Sequence, residues 1–193
     1  CGHKIRDLDT LSKCEVLVCI VERGNEVRIP GGEFVLENGD MISVVASPLN
    51  ASRFFRTIGI ETNQVRNTMI IGGGKISFYL AKRLLEMGIQ VKIVEKDRAV
   101  CERLCEQLPK AMIINGDGTD RDLLAEEGLA SAEGFAALTN MDEENVMLSL
   151  YAKSMSKAKK ITKVNRNTFD TIIGSLGIGS LIYPKHITSE TIL

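Results

Sequence analysis

Met69-Ile70-Ile71-Gly72-Gly73-Gly74-Lys75-Ile76-Ser77 is the stretch on which the reading of this chain turns. An apolar run at 68–71 without helical period precedes three glycines, and Ile76, Leu80 and Leu84 then recur on one helical face, widened by Ala81 and Leu85. The period switches from strand to helix at the glycines. Gly72 can take backbone angles that a Cβ forbids, Gly74 lets the main chain approach a pyrophosphate, and free N–H groups at the helix start attract its charge. Ser77 stands at the third small position of this fingerprint, where Gly or Ala is usual, so a close helix–strand contact has to accommodate a hydroxyl.

Outward from the turn, Gly88 is a natural helix stop and 90–94 reads as a second strand closed by Glu95. Glu95 follows Gly72 by 23 positions, near the spacing of roughly 20 expected of an acid that accepts hydrogen bonds from a ribose. A lone glycine fingerprint is weak, and an ordinary turn between strand and helix is its bland explanation. Flanking strand, flanking helix and placed acid together point to nucleotide binding. A carboxylate there repels a 2′-phosphate, which favours NAD(H) over NADP(H) but does not separate NAD from ADP or ATP.

Strand-like and helix-like segments alternate from Thr68 onward, with further strands expected at 111–114, 135–138, 161–164 and 180–183, and helices near 97–108, 120–127, 142–156 and 168–175. The fold class expected is α/β, a Rossmann-like doubly wound parallel sheet whose ligand-facing loops lie at the C-terminal strand edge. Three loops there are suitably polar. In Gly116-Asp117-Gly118-Thr119-Asp120, Thr119 reads as the cap of the next helix, while Asp117 is either a ligand contact or a turn residue. Thr139 and Asn140 end the fourth strand, ahead of acids that suit a helix start. Arg166 either answers a phosphate or a neighbouring subunit, or is simply solvated, and Lys75 has the same two readings at the glycine turn.

The first 60 residues differ in character. Strand runs at 16–22, 27–30 and 41–46, a turn at 37–40 and a short helix at 50–58 describe a small β-rich α+β lobe (1–60), joined by a linker (61–67) to the nucleotide-binding domain (68–193).

Composition narrows the class further. The 193 residues are 44% hydrophobic with net charge −1. Residues 1–60 hold 7 basic and 8 acidic side chains, leaving 17 of each beyond, so no basic patch suggests nucleic acid. No apolar span is long enough to insert in a membrane, and five cysteines without paired zinc spacing suggest a reduced, cytoplasmic protein. Cys101 and Cys105 share a helix face, but packing thiols are the simpler reading than a metal site. His3 and His186 stand alone. The chain opens on Cys1 and stops as another segment begins, which suggests a fragment.

The combined pattern resembles a known family. Gly2-His3-Lys4-Ile5-Arg6-Asp7-Leu8, Val21-Glu22-Arg23-Gly24, Ile29-Pro30-Gly31-Gly32 and Leu36-Glu37-Asn38-Gly39-Asp40 look like the C-terminal lobe of the RCK (KTN) family, regulators of potassium conductance. The glycine turn, 116–120 and 139–145 resemble its nucleotide-binding lobe. In tandem members each half is a nucleotide lobe followed by a small lobe, so the order here implies the end of one half and the start of the next. The resemblance implies a cytoplasmic regulatory subunit at the inner face of the membrane, forming a dimer or ring on a potassium channel or transporter. Nucleotide occupancy would shift the lobes and hence the pore. It puts Gly72, Gly74 and Lys75 at the phosphates, Glu95 at the ribose and Asp117 near the adenosine, and counts Gly73, Ile76, Ser77, Lys96 and Gly118 among the cofactor contacts. Thr139, Asn140 and Arg166 complete the candidate contacts, with NAD(H), ADP or ATP as ligand and no catalytic or metal residue.

Two alternatives stand beside it. An NAD-dependent oxidoreductase shares the fingerprint, but ten residues after Tyr183 offer no substrate domain in this chain, neither His has a partner, and Tyr151 is followed four positions later by Met155 instead of the Lys of a short-chain enzyme. A structural module with a vestigial site is the other, and the retained Gly72, Gly74 and Glu95 count against it.

Overall fold

A computed structural model describes residues 2–8, 14–24, 26–59, 65–166, 173 and 175–184. The chain divides into two compact units, Cys1–Gln64 and Val65–Leu193.

In the first unit, strands β1 (Leu17–Arg23), β2 (Glu26–Arg28) and β3 (Met41–Val45) form an antiparallel sheet in the order β2-β1-β3. An irregularity between Val18 and Ile20 breaks the β1–β3 register. Helix α1 (Pro48–Thr57) starts where the Ser47 side chain accepts from the Asn50 N–H, a cap that meets one of the unpaired donors of a helix start. Val18, Val21 and Phe54 are buried, with Ile42 and Val44 packed around them, whereas Leu17, Met41 and Val45 are exposed on the opposite face. The turn at 37–40 is fastened by Arg23. Its guanidinium donates to both Asp40 oxygens at 2.7 Å, to Glu37 at 2.6 Å and to the Val35 carbonyl at 3.0 Å, over the Phe34 ring. The Arg23 hydrogen bonds, aided by the Glu37 N–H, pull the Asp40 pKa to about 2.

The second unit is a six-stranded parallel sheet in the order β6-β5-β4-β7-β8-β9, made of β4 (Asn67–Ile71), β5 (Gln90–Glu95), β6 (Met112–Asn115), β7 (Gly134–Ala137), β8 (Lys159–Lys163) and β9 (Ser180–Ile182). Strand order reverses between β4 and β7, which is where such sheets open for a ligand. Helices α2 (Lys75–Glu86) and α3 (Arg98–Gln107) cover one face, and α4 (Arg121–Glu126) and α5 (Asp142–Met155) the other. Alternation divides each strand between two cores. Ile70, Ile93 and Ala136 pack toward Ala81 and Leu104, while Met69, Ile71, Val94 and Phe135 pack toward Leu124, Leu129 and Leu148. Burial on both faces explains the continuous apolar runs.

The expected fold class therefore holds, and observed element ends fall within two residues of expectation for the elements described. Most of the helix expected at 168–175, most of the linker, and Cys1, Asn167 and His186 lie outside the described residues.

Candidate functional site

At the C-terminal edge of the sheet, the loops after β4, β5, β6 and β7 enclose a cleft of about 310 Å³. Two roomier hollows exist, one of about 490 Å³ by Gln90, Lys92 and Lys110 and one of about 480 Å³ by Arg121, Met147 and Tyr151. Chemistry, not volume, distinguishes the smaller one, since it contains the glycine turn.

Gly72 has φ +96°, and a Cβ there would stand 3.1 Å from the Leu138 carbonyl oxygen and the Thr139 nitrogen. The turn therefore needs glycine both for its backbone angle and for its approach to the end of β7. At Gly73 a Cβ would come within 2.9 Å of Val100 and Leu104 and 3.0 Å of the Glu95 side chain. Gly74 meets nothing within 4 Å on its Cβ side and sits at the N-cap of α2 without a side-chain cap. In contrast, α1, α3 and α4 are capped by Ser47, Asp97 and Asp120. The first turn of α2 holds no acid, so its N–H groups and its dipole remain available to an anion.

Glu95 is more engaged than its spacing suggests. One carboxylate oxygen accepts from the Gly73 N–H at 2.6 Å and the other from the Asp97 N–H at 2.8 Å. Lone pairs remain for a ribose hydroxyl. The end of β5 is held from beneath by Asn115, whose amide donates to the carbonyls of Glu95 (3.1 Å) and Lys96 (3.0 Å). The Cys101 thiol also donates to the Glu95 carbonyl, and burial pushes its pKa up. Cys101 is thus a packing thiol, and among the described residues no group of three metal-ligating side chains occurs.

Asp117 lines the cleft, and it also has the structural task that its glycine neighbours conceal. Its Oδ1 accepts from the Thr119 N–H at 2.9 Å and the Thr119 hydroxyl at 2.8 Å, bonds that hold its pKa down. Thr119 is therefore not the helix cap. Asp120 takes that place, accepting from the Asp122 and Leu123 N–H groups at 3.0 and 3.2 Å.

Gly72, Gly73, Gly74, Glu95, Lys96, Asp117, Gly118, Thr139 and Asn140 come together around the cleft, joined by Ile71, Val94, Leu138, Met141 and Glu144. Lys75, Ile76, Ser77 and Arg166 lie outside that lining. Ser77 is fully buried and its hydroxyl has no hydrogen-bond partner, as expected where a small residue lets helix and strand touch. Arg166 donates to Glu143 at 2.7 Å and lies 3.7 Å from Asp142, so its charge is met by the start of α5. Three carboxylates (Glu95, Asp117, Glu144) face one cation (Lys96) in the lining, so what the cleft offers to an anion is backbone amides more than side-chain cations.

Two buried polar side chains escaped sequence reasoning. Asn145 accepts from the Thr139 N–H at 2.9 Å and donates to the carbonyls of Thr139 (3.1 Å) and Lys163 (3.0 Å). Asp142 accepts from the Asn165 N–H (2.9 Å), the Asn165 amide (2.8 Å) and the Arg166 N–H (3.0 Å). Burial alone would raise the Asp142 carboxyl, but those donors and the Arg166 charge outweigh it and hold the pKa below its ordinary value. Asn145 and Asp142 sit three apart in the motif read as a helix start, and the apolar run after them was the only signal in view.

Residues 68–184 match the family model described as the TrkA-N domain, and residues 1–59 match that described as the TrkA-C domain. This chain belongs to the TrkA family. It is 30% identical over 193 residues to Trk system potassium uptake protein TrkA homolog 2 of Methanosarcina mazei, covering all of this chain and 43% of that protein. The chain thus spans less than half the length of the curated relatives it matches. Among solved structures, the GsuK RCK domain superposes with TM-score 0.67 at 17% identity, over 99% of this chain and 41% of that one. The GsuK channel bound to NAD gives TM-score 0.66 at 17% identity, over 99% of this chain and 34% of that one. At this identity both show the fold alone, and the family rests on the TrkA-N and TrkA-C matches.

Proposed function

We propose that this chain is the nucleotide-sensing part of a cytoplasmic regulatory subunit of a Trk-type potassium uptake system. It binds NAD(H), or else ADP or ATP, in the glycine-turn cleft. The pyrophosphate sits on the N–H groups that open α2, Glu95 takes the ribose diol, and Asp117 and Gly118 border the adenosine. The observation that carries this reading is the uncapped, acid-free start of α2 at a glycine turn whose second glycine is bonded to Glu95. Affinity for an RCK channel solved with NAD lies in the fold and supports NAD as first choice.

Binding energy here biases a conformation instead of lowering a chemical barrier. The titratable groups of the cleft argue for that, since Glu95 and Asp117 already accept backbone N–H bonds and no histidine is in the lining. We further assign the small lobe (1–60) and the nucleotide domain (68–193) to successive halves of a tandem subunit that assembles as a dimer or ring beneath a membrane potassium channel or transporter. Among the described residues no helix is long and apolar enough to cross a membrane, so the pore is assigned to that partner.

Calorimetric titration with NAD+, NADH, ADP and ATP is the test, with Glu95→Ala as the control. Saturable binding of at least one, weakened by the substitution, is expected. No heat from any of the four removes the reading.

A further inference from the structure

The first turn of α5 is built differently from a simple helix start. Asn145 is fully buried, and its acceptor and both its donors go to main-chain groups of two different strand ends, Thr139 after β7 and Lys163 at the end of β8. One turn earlier, Asp142 takes two amides of the loop after β8, those of Asn165 and Arg166. Thr139 in turn abuts the glycine turn, since a Cβ on Gly72 would stand 3.1 Å from the Thr139 nitrogen. A continuous set of hydrogen bonds and contacts therefore runs from the phosphate turn, through the cleft rim, to the backbone after β8. Asn145 lies outside the cleft lining. A buried amide whose every bond is satisfied by backbone rigidifies what it joins, because breaking one bond strands a buried donor or acceptor.

We propose that Asn145 is a positioning residue that fixes the rim of the nucleotide cleft and locks it to the loop after β8, so that the two loops respond to nucleotide as one body. The inference rests on the nucleotide-binding reading above and adds where occupancy is felt: at 164–166, on the far side of the sheet's switch point. Asn145 carries the link between strands, and Asp142 extends it along the loop.

Amide hydrogen exchange on the whole chain tests this in two arms. In the unliganded protein, Asn145→Ala should speed exchange by at least about tenfold at Thr139 and also at Asn165 and Arg166, whose acceptor is a different residue. Acceleration confined to Thr139 overturns the proposal. So does equal acceleration at Val91 and Ile93 in the sheet centre, which would mark Asn145 as merely structural. If Asn145→Ala fails to fold, Asp142→Asn replaces it, with acceleration expected at Thr139 as well as at 165–166, and no change at Thr139 overturning the link. In the second arm, saturating NAD+ or ADP should slow exchange at Gly73, Gly74, Asn165 and Arg166 of the unsubstituted chain, but only at the two glycines of Asn145→Ala. A response at 165–166 that survives the substitution overturns the proposal. No slowing anywhere with either nucleotide refutes the nucleotide reading instead, and the unliganded arm then decides on Asn145 by itself.

Discussion

The two sheets of this protein solve the same burial problem in opposite ways. In the parallel sheet, strands β4 and β7 are buried on both faces, and each strand alternates between two apolar cores. In the antiparallel sheet only one face packs on Phe54, the other leaving Leu17, Met41 and Val45 in solvent, and a surface guanidinium fastens the turn that precedes β3. A sheet covered by helices on both faces has no exposed strand face for a ligand, so recognition moves to the loops at its edge. In the three-stranded sheet the polar side chains of Arg23, Glu37 and Asp40 hold a turn instead.

Truncations to alanine at unequal burial break this contrast most sharply. Phe135→Ala, at a site 1% exposed, should cost about 3–5 kcal/mol in urea denaturation, whereas Met41→Ala, at 66% exposure, should cost less than about 0.5 kcal/mol. The glycines give the next largest effect. Gly73→Ala forces a methyl against Val100, Leu104 and Glu95 and should destabilise by about 1–3 kcal/mol while weakening nucleotide binding in calorimetry. Gly74→Ala, with open space at its Cβ and φ −71°, should leave stability within about 0.5 kcal/mol and lower affinity only because the added methyl hinders the close approach of a phosphate.

Acid probes the clasp of the smaller sheet. Asp40 titrates at about 2 in the folded protein against an ordinary 3.8, so its stabilising contribution is complete above pH 3.8 and is lost as pH falls through about 2. Circular dichroism between those limits should show Asp40→Asn insensitive to the acid step that the unsubstituted chain undergoes. The smallest effect is a gain. Ser77→Ala removes a buried hydroxyl without a partner and should stabilise by about 1 kcal/mol in thermal melts, the size of an unmet polar group. A loss of that size would mean that the hydroxyl does have a partner.

Several residues of the cleft were legible in advance because their place follows from local chemistry. A glycine run between a strand period and a helix period admits few backbone conformations, and Glu95 at a strand end after Gly88 had one natural position. The loop at 116–120 was read one residue out of place. Thr and Asp are both good caps, and only the folded turn shows Asp117 taking the Thr119 hydroxyl so that Asp120 caps instead. Arg166 looked available to a phosphate, yet Asp142 and Glu143, 24 and 23 positions earlier, meet its charge. Asn115 carried no signal and Asn145 none beyond its place at the end of the 139–145 stretch, since an amide reaching the backbone of another strand leaves no mark on periodicity.

Periodicity, turn chemistry and residue spacing were therefore enough for this sequence to determine two units, a parallel sheet and a glycine turn between strand and helix, because each depends on neighbours along the chain. Tertiary structure decided which polar side chains face the cleft and which serve the fold. Asn145 and Asp142 bridge strands, Arg166 is neutralised across a loop, and Ser77 is sealed beneath a helix. Those assignments depend on which strand ends meet at the switch point, and that is set by the packing of the whole sheet.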